Sequence, residues 1–135
     1  TGHQQNPTTG YNIKGDPAGK IDLESLCRAM GIRRVTVVDP YDLDACDRAV
    51  KEELAATEPS VIISRRPCAL LKYVKHKPAL VVDQDKCVGC RACMKLGCPA
   101  ISIRGKKAMI DATQCVGCGV CSKLCRPGAL GEVTK

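Results

Sequence analysis

Eight of the chain's eleven cysteines fall in two bursts, and no other feature of the 135 residues restricts the fold so sharply. The first burst reads Cys87-x2-Cys90-x2-Cys93-x4-Cys98-Pro99, the second Cys115-x2-Cys118-x2-Cys121-x3-Cys125-Arg126-Pro127. A shift of 28 residues lays one on the other, matching Asp83 to Asp111, Cys87-Val88-Gly89-Cys90 to Cys115-Val116-Gly117-Cys118, and Lys95-Leu96 to Lys123-Leu124. An internal repeat of this kind predicts two equivalent sites. Three thiols at successive i+3 spacings do not easily pair with one another. An odd total with no secretory pattern also disfavours a disulfide framework. Structural zinc takes four thiolates too, but its usual layout is two CxxC pairs separated by a longer loop. Three ligands crowded into one short loop, with a fourth Cys closely followed by Pro, is the layout of a 4Fe-4S cluster, whose loop must wrap three corners of a cube.

The intervening residues suit that chemistry. Gly89, Gly117 and Gly119 permit positive φ, which lets backbone N–H groups turn toward the sulfurs. Val88, Val116, Val120 and Leu124 are placed to shield a cluster from water, or to pack as ordinary core.

Composition narrows the function further. With no Phe, no Trp and three Tyr there is almost nothing for bases to stack on, so the formal charge of +7 is a poor argument for nucleic-acid binding. Two oxidised clusters of about −2 each would take that charge to about +3. Lys86, Arg91, Lys95, Arg104, Lys106, Lys107, Lys123 and Arg126 remain as a solvated face or as a landing patch for an acidic electron partner. An apolar fraction of 44% excludes a long disordered tract. No apolar run approaches the eighteen or so residues of a membrane span, and no leader pattern opens the chain, so a cytoplasmic location without membrane contact is expected.

The first half has a different pattern. Leu23, Leu26, Cys27 and Met30 recur at helical spacing, with Asp22 as N-cap and Gly31 as stop. Val35 to Val38 follows as a buried strand, Leu43, Cys46, Val50 and Leu54 mark a second helix, and Pro59 ends it before a strand from Val61 to Ile63. Strand, helix and strand make a βαβ unit with parallel strands and a right-handed crossover. The turns Asp39-Pro40-Tyr41 and Arg65-Arg66-Pro67-Cys68 then share the ligand-binding edge of the sheet. The same periodicity makes Cys27 and Cys46 core thiols, and packing is the default for Cys68. Residues 1–20, rich in Gly, Pro, Thr and Asn, are expected to form a loop. One helix and one βαβ unit cannot cover both faces of a parallel sheet, so the rest of that domain is expected upstream of Thr1.

Residues 79–131 resemble a two-cluster bacterial ferredoxin domain, including a strand Leu80 to Val82 and a hairpin Ile101 to Ile110. That resemblance implies crossed ligation, with Cys87, Cys90, Cys93 and Cys125 on one 4Fe-4S cluster and Cys98, Cys115, Cys118 and Cys121 on the other. Gly97, an extra residue before Cys98, and Arg126, inserted between Cys125 and Pro127, are departures from the family pattern. The opening Thr1-Gly2-His3-Gln4-Gln5-Asn6-Pro7-Thr8-Thr9-Gly10 resembles the segment after the magnesium-diphosphate motif of thiamine-diphosphate-dependent 2-oxoacid:ferredoxin oxidoreductases. Together with Val38-Asp39-Pro40-Tyr41-Asp42 and Arg66-Pro67-Cys68, it is similar to the large (alpha) subunit of the indolepyruvate ferredoxin oxidoreductases.

This second resemblance implies that residues 1–77 are the C-terminal part of a thiamine-diphosphate-binding α/β domain and residues 78–135 an α+β ferredoxin-like domain with two 4Fe-4S clusters. It places Thr1, Gly2, His3 and Gln4 near thiamine diphosphate and Mg²⁺ in the intact subunit, although His3 is equally well read as a loop residue. The Gly-Asp-Gly magnesium motif is absent, so the chain by itself is not expected to be catalytic. The implied partners are the small (beta) subunit, an external ferredoxin, CoA and a 2-oxoacid. The implied products are acyl-CoA, CO2 and reduced ferredoxin. Two other readings stay open: a stand-alone ferredoxin-type carrier fused to a non-catalytic α/β docking module, and a zinc-stabilised interaction module.

Overall fold

A computed structural model describes residues 4–71 and 73–132. The chain divides into two compact units, Thr1–Val74 and Lys75–Lys135. Among the described residues no helix is long and apolar enough to cross a membrane.

The first unit opens with a loop organised by its own side chains. The Asn6 carboxamide oxygen accepts from Thr8 N at 2.9 Å, and the Asn12 oxygen accepts from Lys14 N and Asp16 N. Helix α1 (Leu23–Ala29) starts at Asp22, whose carboxylate accepts from Ser25 N at 2.9 Å and so satisfies one of the first-turn donors. Strand β1 (Arg34–Val38), helix α2 (Leu43–Leu54) and strand β2 (Ser60–Ser64) follow. The strands are parallel, with Val35 beside Val61 and Val38 beside Ser64. This is the expected βαβ unit, each strand extending a residue or more beyond its apolar run.

Cys27 and Cys46 are half-buried, which corrects their expected place in the core. Helix α1 buries none of its residues, and Met30 and Leu54 are 72% and 81% exposed. Helical spacing identifies the apolar face of a helix, but only a further layer can cover it. Among the described residues of this unit the buried apolar side chains are Val38, Ala49 and Ile63. The Cys46 thiol instead donates to the Asp39 carbonyl at 3.3 Å.

The second unit is built from short elements: β3 (Val81–Val82), a 3-10 helix (Ala92–Leu96), β4 (Ile101–Arg104), β5 (Lys107–Ile110), α3 (Val120–Leu124) and β6 (Leu130–Gly131). Strand β4 pairs antiparallel with β5, and β3 pairs antiparallel with β6. The 28-residue repeat carries β3 onto β5 and β4 onto β6, so in both sheets a strand of one repeat pairs with a strand of the other. Their backbone ties repeat the exchange: Asp83 N donates to Ala129 O at 2.7 Å and Asp111 N to Ala100 O at 2.8 Å. The core between the sheets is Leu80, Cys93, Ile101, Ala108, Cys121 and Leu130.

Candidate iron-sulfur centre

Each cysteine loop is launched in the same way. The Asp83 carbonyl accepts from Cys87 N at 3.0 Å, while its carboxylate accepts from Asp85 N and Lys86 N. The Asp111 carbonyl accepts from Cys115 N at 3.1 Å, and its carboxylate accepts from the hydroxyl and N–H of Thr113 and from Gln114. These donors hold both carboxyls below their ordinary range, through the Lys86 N–H first at Asp83 and the Thr113 hydroxyl first at Asp111. Two aspartates in matching positions thus fix the turn from which each run of thiols departs.

The third cysteine of each burst sits on a short helix. Cys93 lies on the 3-10 helix and Cys121 on α3, both buried, and the two helices pack against one another. The fourth lies just beyond its helix. Gly97 ends the 3-10 helix in the left-handed region and delivers Cys98, while Cys125 caps α3 in extended conformation. The departure at Gly97 is therefore taken up in the left-handed cap of the 3-10 helix, directly before Cys98.

Electrostatics divide the eight thiols. Burial pushes the Cys93 thiol up, and the charges that add to this effect are those of Cys125, Cys90 and Cys87. Burial pushes the Cys121 thiol up to about 11, and there the added charges are those of Cys118, Cys115 and Cys98. Each buried thiol therefore has three cysteine neighbours, two from its own repeat and one from the end of the other. Donors face the sulfurs as well. N–H groups of Ala108 and Gly89, helped by the Lys107 charge, hold Cys87 below its ordinary value, and Ala129 N donates to Cys125 Sγ at 3.3 Å. A concavity lined by Cys87, Cys90, Cys93 and Cys125 is closed by Val82, Pro127 and Leu130.

All eight cysteines are free thiols. Among the described residues no three His, Cys, Asp or Glu side chains converge on a site for a single ion. Four thiolates on one tetrahedral ion, each about 2.3 Å from it, lie within about 4 Å of one another, whereas ligands to the corners of a cube stand further apart. All-thiolate donors, apolar walls and inward N–H groups are the donor set a 4Fe-4S cluster requires, and the residues present fit two of them.

The first unit holds the other candidate residues. Thr1, Gly2 and His3 lie outside the described residues. Gln4 lines a cleft of about 570 Å³ with Thr8, Thr9, Arg65, Arg66 and Cys68. The two turns expected on one sheet edge do meet: Arg66 pairs with Asp39 and stacks over the Tyr41 ring at 4.0 Å, and Arg65 pairs with Glu24 at 2.9 Å. Of the four candidates Gln4 falls within the described residues, and it lies on the wall of this cleft.

Sequence reasoning missed three features of the cluster unit. They are the Ala108 and Ala129 N–H donors, the packing of the Lys106 carbonyl against Gly89, and the left-handed backbone of Arg91. Only the last had a signal in the sequence, because the repeat aligns Arg91 with Gly119.

Fold and thiols together define a two-cluster, ferredoxin-type iron-sulfur domain. A protein-family model described as a 4Fe-4S dicluster domain matches residues 79–127. The chain is 41% identical over 142 residues to the indolepyruvate oxidoreductase subunit IorA of Pyrococcus horikoshii, covering 98% of this chain and 22% of that protein. It is 34% identical over 131 residues to the subunit of the same name from Methanothermobacter thermautotrophicus, covering 96% of this chain and 21% of that one. The Archaeoglobus fulgidus IorA subunit is 33% identical over 141 residues, with 80% and 22% covered. The chain belongs to this IorA family, and it spans about a fifth of the length of these relatives.

Proposed function

We propose that Cys87, Cys90, Cys93 and Cys125 hold one 4Fe-4S cluster, that Cys98, Cys115, Cys118 and Cys121 hold the other, and that the chain is the electron-transfer part of a thiamine-diphosphate-dependent indolepyruvate ferredoxin oxidoreductase. The observation that carries this reading is the set of cysteine neighbours around Cys93 and Cys121, each drawn from both repeats. Bound there, the clusters take up and release electrons singly. The chain's own residues do the rest. The thiolates fix the clusters, the N–H groups of Gly89, Ala108 and Ala129 face the sulfurs, and Val82, Ile103 and Leu130 keep water from them. The strand exchange between repeats keeps the two sites in one rigid body.

In this reading residues 1–77 are the C-terminal part of a thiamine-diphosphate-binding α/β domain and residues 78–135 the ferredoxin domain. Thr1, Gly2, His3 and Gln4 border thiamine diphosphate and Mg²⁺ in the intact subunit. The partners are the small (beta) subunit, an external ferredoxin, CoA and the arylpyruvate, in the cytoplasm and with neither membrane nor nucleic acid. Support comes from the names of the relatives and from the chain's similarity to them over 80 to 98% of its length. The chain alone is expected to be reduced by dithionite and to leave indolepyruvate untouched. The test is iron and sulfide analysis with low-temperature electron paramagnetic resonance of the reconstituted chain, then indolepyruvate-dependent reduction of the intact two-subunit complex. About eight irons per chain and two coupled reduced clusters are expected. A colourless protein binding one or two zinc ions would overturn the assignment.

A further inference from the structure

The two repeats meet solvent differently. Val88 is 71% exposed and Cys90 is exposed, whereas their equivalents Val116 and Cys118 are half-buried and Gly117 is buried. The second loop is covered by Lys77 and Pro78, whose carbonyls lie against Gly117. Beside the first loop lies the tip of the β4–β5 hairpin, where the Lys106 carbonyl packs against Gly89. That tip carries Arg104, Lys106 and Lys107, with Arg104 opposite Lys107 across the turn. Lys107 reaches the Gln84 carbonyl, and its charge acts on Cys87.

Arg91 is the second asymmetry. It is exposed and holds φ at 60°, while Gly119, its equivalent, holds 78°. Among the described residues no other non-glycine has a positive φ. The left-handed region is open to glycine and strained for a side chain with a Cβ, and strain of this kind concentrates at functional sites. The nearby acids do not cancel the charge. Asp83 is taken up by Lys86 at 3.1 Å, and the loop and hairpin tip, residues 87–91 and 104–107, carry Arg91, Arg104, Lys106 and Lys107 and no acid.

We propose that the exposed loop Cys87–Arg91 and the hairpin tip Arg104–Lys107 form the surface where electrons leave this chain, and that its partner there is a small acidic electron-carrier protein. The proposal rests on the two-cluster reading above. One electron passes from the site of Cys87, Cys90, Cys93 and Cys125 to the carrier, which oxidises the first and reduces the second. No bond forms or breaks and no proton moves. The positive rim steers an acidic carrier to the more exposed of the two cysteine loops.

The test uses the full 135-residue chain, reconstituted with iron and sulfide and reduced with dithionite. It is mixed by stopped flow with an oxidised acidic [2Fe-2S] ferredoxin, and binding of the same pair is measured by calorimetry. Arg91→Gly removes the charge while relaxing the backbone, and Lys106→Glu reverses a charge on an exposed turn. Each is expected to lower the second-order rate and the affinity about tenfold at low ionic strength, with a smaller loss in high salt. Lys123→Glu, beside Cys121, is expected to change both less than about twofold. An equal loss in Lys123→Glu, or no loss in either loop variant, overturns the docking surface. A chain that loads and bleaches yet ignores the charge changes leaves the two-cluster reading standing, whereas a chain that takes up no clusters ends both.

Discussion

Gly117 packs its α-carbon against the carbonyl of Pro78, so that a Cβ there would stand 2.5 Å from the oxygen. The backbone at Gly117 is also left-handed, with φ 63°, which makes two independent demands on the one position. Gly97 has a similar φ of 65° but open space where its Cβ would go. Gly97→Ala should therefore cost the cluster unit about 1–2 kcal/mol, the strain of a left-handed Cβ alone. Gly117→Ala should cost distinctly more, because backbone must move as well. Chemical unfolding of the loaded chain, followed by loss of cluster absorbance, checks the order. Equal costs at the two sites would mean that the contact with Pro78 is not tight in solution.

Removing the iron should unfold the second unit and spare the first. The second unit's core rests on Leu80, Ile101, Ala108 and Leu130 and on two of the ligand cysteines, Cys93 and Cys121. About sixty residues with so few large apolar side chains do not bury enough surface to offset chain entropy unless metal bonds add to it. Tyr11, Tyr41 and Tyr73 all lie in the first unit, so tyrosine signals report on that unit alone. Anaerobic chelation followed by circular dichroism and amide NMR should show dispersed resonances lost for residues 78–132 and unchanged tyrosine signals. A chelated chain that keeps dispersed amides throughout would show that the protein core suffices.

The cysteine bursts and their aspartates were legible because ligation and turn geometry are local. Asp83 and Asp111 act within four residues of themselves, and Asp22 caps α1 three residues on. The βαβ unit was legible for the same reason, since its periods lie within single segments. What stayed hidden depends on partners distant in sequence. The half-burial of Cys27 and Cys46 reflects which layers stack on their helices, and no period within a helix reports that. The strands β3 and β6 have two residues each, too few to show an alternation, and the approach of the Lys106 carbonyl to Gly89 joins residues 17 positions apart.

Glu53 should give the first unit an acid-sensitive anchor. Its side chain, 7% exposed, accepts from Arg34 Nε at 2.8 Å and from the Thr36 hydroxyl at 3.0 Å, tying α2 to β1. The Arg34 guanidinium first, opposed by burial and helped by Thr36, holds the carboxyl below its ordinary 4.5. A carboxyl whose folded pKa is depressed binds protons more tightly when unfolded. Its stabilisation is therefore complete above about 4.5 and is lost as pH falls through the folded value. Glu53→Gln should flatten the decline of first-unit stability below about pH 4.5, read from tyrosine absorbance during urea unfolding. Asp22, lowered chiefly by the Ser25 N–H, should account for part of the remaining slope, and Asp22→Asn, which keeps the cap, should remove it. An unaltered slope in Glu53→Gln would show that the Arg34 contact does not persist in solution.

Crossed ligation, in which each cluster draws its thiols from both repeats, is what makes one domain of the two. If Cys125 belongs with Cys87, Cys90 and Cys93, Cys125→Ser should perturb the site whose other ligands lie 32 to 38 positions upstream. Cys98→Ser should perturb the site of Cys115, Cys118 and Cys121. The protein frame already runs in that sense. Ala129, four residues after Cys125, accepts from Asp83 at the head of the first burst, and Ala100, two residues after Cys98, accepts from Asp111 at the head of the second. Each fourth cysteine is thus carried back to the other repeat by the backbone that follows it. An uncrossed site would have to pull Cys98 or Cys125 away from these ties. Gly97 is where such a retreat would begin, since its left-handed turn sets the direction in which Cys98 leaves the 3-10 helix. Paramagnetic NMR of the two loaded serine variants, with cysteine β-protons assigned residue by residue, decides between the arrangements. Shifts confined to Cys87, Cys90 and Cys93 in Cys125→Ser, and to Cys115, Cys118 and Cys121 in Cys98→Ser, are expected. The reverse pattern would make the domain two self-contained cluster loops, and the strand exchange between β3–β6 and β4–β5 would then hold the unit together without help from the metal.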